Sequence, residues 1–301
     1  MIGKLGILLV GILLYSCQKP KIQEDNGGTT IPFVLTEHNN LSIEAILNKS
    51  DTVDLMFHTA ASSMTLTKKA TKRLNITWDH TDEVNSWGGN ATSRYSKNNK
   101  LDIGNLQWDS IPIWENENSG PATDGKFGPD LFEGNAIEIN FDKSEITIHQ
   151  TLPEQAKDYL KTSLIFENEF MFIEGVSSIE SDSYLNRFLI HSGYGGTILF
   201  DDKFTAESKI SERIEIKAEK ELKDSYGNIL KSKKGKLPKF SIGTVDFKNI
   251  PVGFFEGSIG RQQVSVLGGD LLKRFNIIID PKREYIYLKP NQLMKLEYSE
   301  I

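Results

Sequence analysis

The sequence predicts an all-β protein of two homologous lobes, because one order of strand-like segments occurs twice along its 301 residues. Three pairs of segments match in the same order, at a spacing that drifts only from about 133 to about 140 residues. Between them, apolar residues alternate or run in short stretches bounded by Gly, Asn, Asp and Pro, which is typical of strands and hairpins. Such a repeat determines architecture more firmly than local propensity does.

Residues 1–17 have the order of a bacterial export signal. An early lysine, Lys4, precedes an apolar run far shorter than the roughly 20 residues that span a bilayer. Residues 14–17, Leu-Tyr-Ser-Cys, resemble the lipobox of bacterial lipoproteins, in which cleavage leaves an acylated cysteine. Cys17 is the only cysteine, so an internal disulfide is excluded and lipidation accounts for the thiol. We expect a lipid anchor in the bacterial cell envelope, at the outer membrane; a cleaved signal with an incidental cysteine is the alternative.

The remaining chain divides into a tether and two lobes. Residues 18–30 are polar, contain Pro and Gly and show no apolar periodicity, so we expect a flexible tether. We expect lobes over 31–150 and 170–295, joined by a linker over 151–169. The net charge of −6 gives no general attraction to nucleic acid, which excludes that class of partner. The lysine-rich segment 231–236 holds a glycine between two strand-like runs, so we expect a solvated hairpin tip there.

The first pair of matching segments carries the candidate chemistry. Each member is an apolar strand that ends in a histidine followed by a hydroxyl residue. The two ends are His58-Thr59-Ala60 and His191-Ser192-Gly193. Because these ends occupy equivalent positions of duplicated lobes, we expect the two imidazoles to lie within hydrogen-bonding or one-water reach of each other.

The other two pairs of segments complete each lobe. They match residues 101–113 with 240–252, around an Ile-Gly turn, and residues 127–143 with 267–283. In the second of these pairs, two apolar residues precede a glycine, and an Asp-Leu pair and a hairpin follow it. Lys126 stands where this pattern has an apolar residue. Short helices are expected near 67–72 and 154–160, and after each Asp-Leu pair.

This order of elements resembles the lobe of pepsin-like and retropepsin-like aspartic peptidases. In that family an apolar strand ends in Asp-Thr/Ser-Gly, and an apolar-apolar-Gly motif precedes a short helix and a hairpin. The likeness spans about residues 40–290 and is strongest over 266–275, Val-Leu-Gly-Gly-Asp-Leu-Leu-Lys-Arg-Phe. It implies two β-barrel-like lobes of the acid-protease fold with a few short helices, and an interlobe cleft that binds polypeptide. Thr59 and Ser192 match the hydroxyl position that holds the paired loops together in the family.

The sequence differs from the family at the catalytic positions, since His58 and His191 stand where the family has its two Asp. The family mechanism requires two carboxylates about 3 Å apart that share one proton. Two imidazoles cannot reproduce that charge state, so we expect a non-catalytic polypeptide binder. The alternative is a peptide hydrolase in which one neutral imidazole, with a pKa near 6.5, acts as general base on water; its activity would be confined to pH values above about 6.5.

The remaining candidates are weaker. His58 and His191 would also converge as metal ligands, but a catalytic zinc normally has three protein ligands. We therefore expect no metal and no cofactor. Trp87 and Gly88 carry a hairpin-turn signal where the family places its flap, and together with Gly193 they are the candidate substrate contacts. A purely structural envelope component, with no ligand in its cleft, is the third possible function.

Overall fold

The structure is a computed structural model, and it describes residues 28–86, 89–117, 120–223, 229–257 and 262–299. Strands make up most of both halves of this part of the chain. In the first half they are β1 Thr29–Pro32, β2 Val34–Leu35, β3 Leu41–Leu47, β4 Asp51–Phe57, β5 Met64–Thr67, β6 His80–Ser86, β7 Gly89–Ile103, β8 Leu106–Asn116, β9 Gly125–Phe127, β10 Ala136–Asn140 and β11 Glu145–His149.

In the second half the strands are β12 Leu160–Ser163, β13 Ile165–Glu167, β14 Phe170–Ile179, β15 Asp182–His191, β16 Ile198–Leu199, β17 Glu215–Lys223, β18 Ile229–Ile242, β19 Val245–Gly257, β20 Ser265–Gly268, β21 Phe275–Ile279 and β22 Tyr285–Pro290. The α-helices are α1 Lys68–Thr71, α2 Asp202–Ser208, α3 Ile210–Arg213 and α4 Gly269–Leu272. The 3₁₀ turns are Pro129–Phe132, Glu154–Asp158 and Gln292–Lys295.

The first lobe is a closed six-stranded barrel. Its strands follow the order β3, β4, β9, β5, β8 and β7, and β7 pairs back to β3 to close the ring. The pairs β4–β9 and β5–β8 are parallel, and the other pairs are antiparallel. Alternate residues of β3, from Leu41 to Leu47, are buried because successive side chains of a strand face opposite sides of the sheet. The barrel interior is therefore the apolar core of the lobe.

The second lobe repeats this ring strand for strand. Its order is β14, β15, β20, β16, β19 and β18, and β14 pairs back to β18. The parallel pairs are β15–β20 and β16–β19, at the same places in the ring as in the first lobe. The duplication expected from the sequence, and with it the all-β fold of two barrel-like lobes with a few short helices, is confirmed.

A six-stranded antiparallel sheet joins the lobes, in the order β1, β11, β10, β21, β22 and β12. Strand β10 of the first half pairs with β21 of the second, with Ile137 opposite Ile279, and both side chains are fully buried. The segment predicted as a linker, 151–169, contributes β12 to this sheet, and β1 begins inside the segment predicted as a tether. The two lobes thus share one continuous core.

The short helices expected near 67–72 and 154–160 are present, whereas those expected after each Asp-Leu pair contain the pair instead. Helix α1 follows Thr67, whose Oγ1 accepts a hydrogen bond from Ala70 N at 3.1 Å and so caps the first turn. A 3₁₀ turn occupies Glu154–Asp158, and short turns follow both apolar-apolar-Gly motifs. No helix in the described ranges is both long enough and apolar enough to cross a membrane.

The expectation for the lysine-rich segment 231–236 is wrong, because this segment lies inside β18 and pairs with a strand on each side. Its charge is balanced across the sheet: Lys231 lies 2.9 Å from Glu219, and Lys233 lies 2.6 Å from Glu256. The glycine serves close packing, since a Cβ at Gly235 would lie 2.8 Å from a backbone oxygen of β17. Cross-strand charge pairing, which depends on the partner strands, makes this polar segment a stable strand.

A buried ion-pair network ties the end of the chain to the second lobe. The guanidinium of Arg274 is fully buried and donates to the Asp270 carboxylate at 3.2 Å and to the Leu296 carbonyl at 2.7 Å. The same carboxylate accepts the Lys273 ammonium at 2.8 Å and the Ser299 N–H at 2.7 Å. These bonds satisfy groups that would otherwise be desolvated without partners.

We predict that Arg274→Met lowers the free energy of unfolding by about 3 kcal/mol or more, because it leaves Asp270 and several carbonyls buried with fewer partners. The matched control is Arg73→Met, which breaks the ion pair with Asp124 at the surface. This control should change the free energy of unfolding by less than about 1 kcal/mol. Denaturant unfolding of both variants measures the difference. Equal stability of the two variants would contradict a role for the network.

Candidate functional site

Reciprocal hydrogen bonds join the two lobes where β4 and β15 end. The Thr59 hydroxyl donates to the Ile190 carbonyl at 2.7 Å, and the Ser192 hydroxyl donates to the Phe57 carbonyl at 2.7 Å. In return, the Ser192 N–H donates to the Thr59 hydroxyl and the Thr59 N–H donates to the Ser192 hydroxyl, both at 3.0 Å. All four bonds are buried, so they hold the two strand ends in one fixed arrangement.

This arrangement brings the two histidines together. The ring centroids of His58 and His191 lie 4.5 Å apart, at an interplanar angle of 64°. The expected approach of the two imidazoles is therefore confirmed. His58 is buried and His191 is half-buried, and the pair lies where the two lobes meet.

Hydrogen bonding defines the tautomer of the neutral His58 ring. The Ala60 N–H donates to Nδ1 of His58 at 3.2 Å, which leaves the proton of the neutral ring on Nε2. Gly193 packs against the same ring, since a Cβ at this position would lie 2.3 Å from Cδ2 of His58. Nδ1 of His191 is buried and has no hydrogen-bond partner among the described residues.

Burial keeps both imidazoles neutral. It is the largest cause that lowers the pKa of His58, to about 2, and the proximity of His191 and of Lys126 acts in the same direction. Burial likewise lowers the pKa of His191 to about 4, and Lys126 adds to the shift. The expectation of an imidazole pKa near 6.5 is therefore wrong for this pair, because removing a cation from water disfavours the protonated form.

Lys126 is the residue at this site that the sequence analysis did not select. It lies on β9, next to Phe127, whose carbonyl accepts the His58 N–H at 2.9 Å. Phe127 is fully buried in the barrel, so the alternate side chain, Lys126, faces away from that core. Its counterpart in the second lobe is Val266, which packs in an apolar cluster. The lysine in place of an apolar residue was the sequence signal for this site.

Three groups that carry or can accept positive charge thus meet at one place. Burial lowers the pKa of the Lys126 ammonium, and no acidic side chain of the described ranges contributes to the pKa shifts of Lys126, His58 or His191. A metal cation fits this set poorly, because an ammonium adjoins the two imidazoles. Throughout the described residues, no three His, Cys, Asp or Glu side chains converge as metal ligands would.

A cavity of about 380 Å³ borders the histidine pair through Gly193. Both lobes line it: Asn39 comes from the loop before β3, while Tyr194 and Val252 come from the second lobe. The Asn39 amide donates to the Gly195 carbonyl at 2.7 Å, which fixes this junction. Burial raises the pKa of the Tyr194 hydroxyl to about 12, so it remains a hydrogen-bond donor at neutral pH.

Of the other predicted site residues, the structure describes Gly193 but not Trp87, Gly88 or Cys17. Gly193 lines the cavity, and its role as a substrate contact stays a prediction. Trp87 and Gly88 lie outside the described residues, between the paired strands β6 and β7. Cys17 also lies outside the described residues, so lipidation stays a prediction.

Comparisons with known proteins agree with this geometry. The family model for aspartyl proteases matches residues 43–131 of the chain. The crystal structure of an aspartic proteinase from Irpex lacteus matches with a TM-score of 0.59 and 12% sequence identity, over 90% of this chain and 100% of that one. At this identity the structural match shows the fold alone. No curated protein matches the chain.

The chain thus has the acid-protease fold, and most of its first lobe is similar to the aspartyl protease family. At the paired strand ends of this fold the chain has His58 and His191, and the charge of Lys126 acts on both.

We predict that a double variant, His58→Gln with His191→Gln, loses less stability in acid than the wild type. Because the folded pKa of each imidazole lies below the unfolded value of about 6.5, the unfolded chain binds more protons as the pH falls. The wild type should therefore lose about 4 kcal/mol more unfolding free energy than the variant between pH 7 and pH 5, about 2 kcal/mol for each histidine.

Denaturant unfolding at the two pH values measures this difference, and the comparison cancels the contributions of all other titrating groups. His80→Gln, which removes an exposed histidine, is the control and should behave like the wild type. An equal acid loss in the wild type and the double variant would show that the pair titrates normally.

Proposed function

We propose that this protein is a lipid-anchored component of the bacterial cell envelope that binds extended polypeptide in its interlobe cleft without aspartic catalysis. The observation that supports the proposal is the pair of adjacent neutral imidazoles, His58 and His191. In the sequence resemblance these residues stand at the two Asp positions of the family. The acid-protease fold supplies the cleft, and the histidine pair removes the carboxylates that would activate water.

The charge at the site supports the absence of aspartic catalysis. The family mechanism needs a carboxylate that draws a proton from water and a second carboxyl group that supports the substrate oxygen. Here both groups are neutral imidazoles, and the cation of Lys126 lowers the pKa of each of them further. A cation beside the pair opposes formation of the imidazolium that a general base must form.

The histidine-based hydrolase is the competing function. A general base works best with a pKa near the working pH, whereas burial lowers both imidazole pKas well below neutrality. Such a base is available over a wide pH range but draws a proton from water only weakly. This enzyme would therefore be slow, and the cleavage experiment below distinguishes it from a binder.

Binding of polypeptide needs none of the catalytic groups. Main-chain hydrogen bonds to an added strand supply affinity, and pockets for alternate side chains supply specificity. The cavity beside Gly193 offers apolar contact at Val252 and a hydrogen-bond donor in the Tyr194 hydroxyl. The cleft therefore suits an extended chain, and this argues against a purely structural component.

We predict that the purified full-length protein, in mild detergent, does not cleave casein at any pH from 4 to 8. The reason is that the carboxylate pair is missing and both imidazoles are poor bases. A double variant, His58→Ala with His191→Ala, and the exposed control His80→Ala should give the same background. Cleavage by the wild type and by His80→Ala, but not by the double variant, would establish the hydrolase instead.

We also predict that the expressed protein partitions with membranes, because residues 14–17 resemble a lipobox and precede a polar segment. Cys17→Ala removes the thiol that would be acylated and should release the protein into the soluble fraction. Ser16→Ala, which keeps the cysteine, is the matched control and should leave the protein in the membrane fraction. Recovery of the wild type as a soluble protein would contradict the anchor.

A further inference from the structure

Lys126 carries a charge that has no counter-ion in the described part of the chain. Its side chain is half-buried, and its ammonium has no ion-pair or hydrogen-bond partner among the described residues. Transfer of an ammonium out of water is costly, and proteins normally compensate it with a carboxylate. The second lobe shows the alternative, because an apolar valine at the equivalent position packs without this cost. Retention of a lysine here points to a negative partner that the described part of the chain does not supply.

The neighbouring imidazoles complete a set of polar groups suited to that partner. The neutral ring of His58 has its proton on Nε2, because Nδ1 accepts the Ala60 N–H. Nδ1 of His191 is buried and has no hydrogen-bond partner among the described residues, and leaving such a group unpaired is costly. With ring centroids 4.5 Å apart, the two rings lie close enough to contact the same small group.

We infer that His58, His191 and Lys126 form a binding site for a carboxylate group of the polypeptide that occupies the cleft; this inference rests on the function proposed above. The ammonium compensates the negative charge, and the His58 Nε2–H donates a hydrogen bond to a carboxylate oxygen. Charge-assisted hydrogen bonds of this kind are the stronger ones in proteins. The site therefore reverses the electrostatics of an acidic catalytic pair: it attracts an anion.

The carboxylate can come from the C-terminus of the polypeptide or from an acidic side chain within it. A C-terminal carboxylate at the histidine pair would leave the preceding residues on one side of the site. The cavity of about 380 Å³ borders this site through Gly193, and the Tyr194 hydroxyl in its wall can donate a hydrogen bond to a peptide backbone. The geometry is compatible with both sources, so the experiment must separate them.

The test measures the binding of three versions of one uncharged, extended eight-residue peptide to the full-length protein by fluorescence anisotropy. The first version has a free C-terminal carboxylate, the second has a C-terminal amide, and the third has the amide and one central glutamate. We expect the amide to bind about tenfold more weakly than at least one carboxylate version, a difference typical of one charge-assisted hydrogen bond. Whichever carboxylate version binds tighter identifies the source.

Lys126→Met keeps the length of the side chain but removes its charge, and it should bring the carboxylate-to-amide ratio close to one while the amide binds as before. Lys126→Arg keeps the charge and should retain the preference, and Lys203→Met, on the exposed surface of α2, should match the wild type. Equal binding of all three peptides to the wild type would overturn the carboxylate site and leave the polypeptide binder intact. Failure of every peptide to bind would overturn both.

Discussion

The four buried hydrogen bonds that Thr59 and Ser192 exchange across the lobe interface connect the two barrels at their functional edge. Each hydroxyl donates to a carbonyl of the opposite lobe and accepts an N–H from the partner loop. Loss of one hydroxyl would leave a buried carbonyl and a buried N–H unpaired, which costs more than the net gain of forming the bond. This exchange fixes the distance between the strand ends, and the positions of His58 and His191 follow from it.

Burial then decides the chemistry of the pair. In water an imidazole is protonated below about pH 6.5, but the lobe interface withdraws the rings from solvent, and Lys126 adds a like charge. Both effects favour the neutral form, so the site holds two neutral rings and one ammonium inside a protein whose net charge is −6. Such a set of charges suits the anionic ligand that we infer for this site, and it differs from the shared proton of a carboxylate pair.

Much of the fold could be predicted from the sequence because the repeat is encoded locally. Apolar alternation, turn residues and helix caps such as Thr67 act between near neighbours, and two copies in the same order made the lobe plan evident. The errors concern long-range pairing. The lysines of 231–236 lie in a strand because Glu219 and Glu256 come beside them from other strands. The segment 151–169 contributes a strand because β22 offers it an edge.

The sequence by itself determined that two equivalent strand ends carry histidine and a hydroxyl residue, and that the surrounding elements form a duplicated β fold. Only the tertiary structure decided how those histidines behave, since a pKa depends on the solvent that folding removes and on charges distant in sequence. Lys126 illustrates the difference: the sequence marks it as an exception to an apolar pattern, whereas the packing of β9 against β4 places its charge beside the histidine pair. Side-chain identity is local information, but the electrostatic environment of a side chain is the sum over everything that folding brings around it.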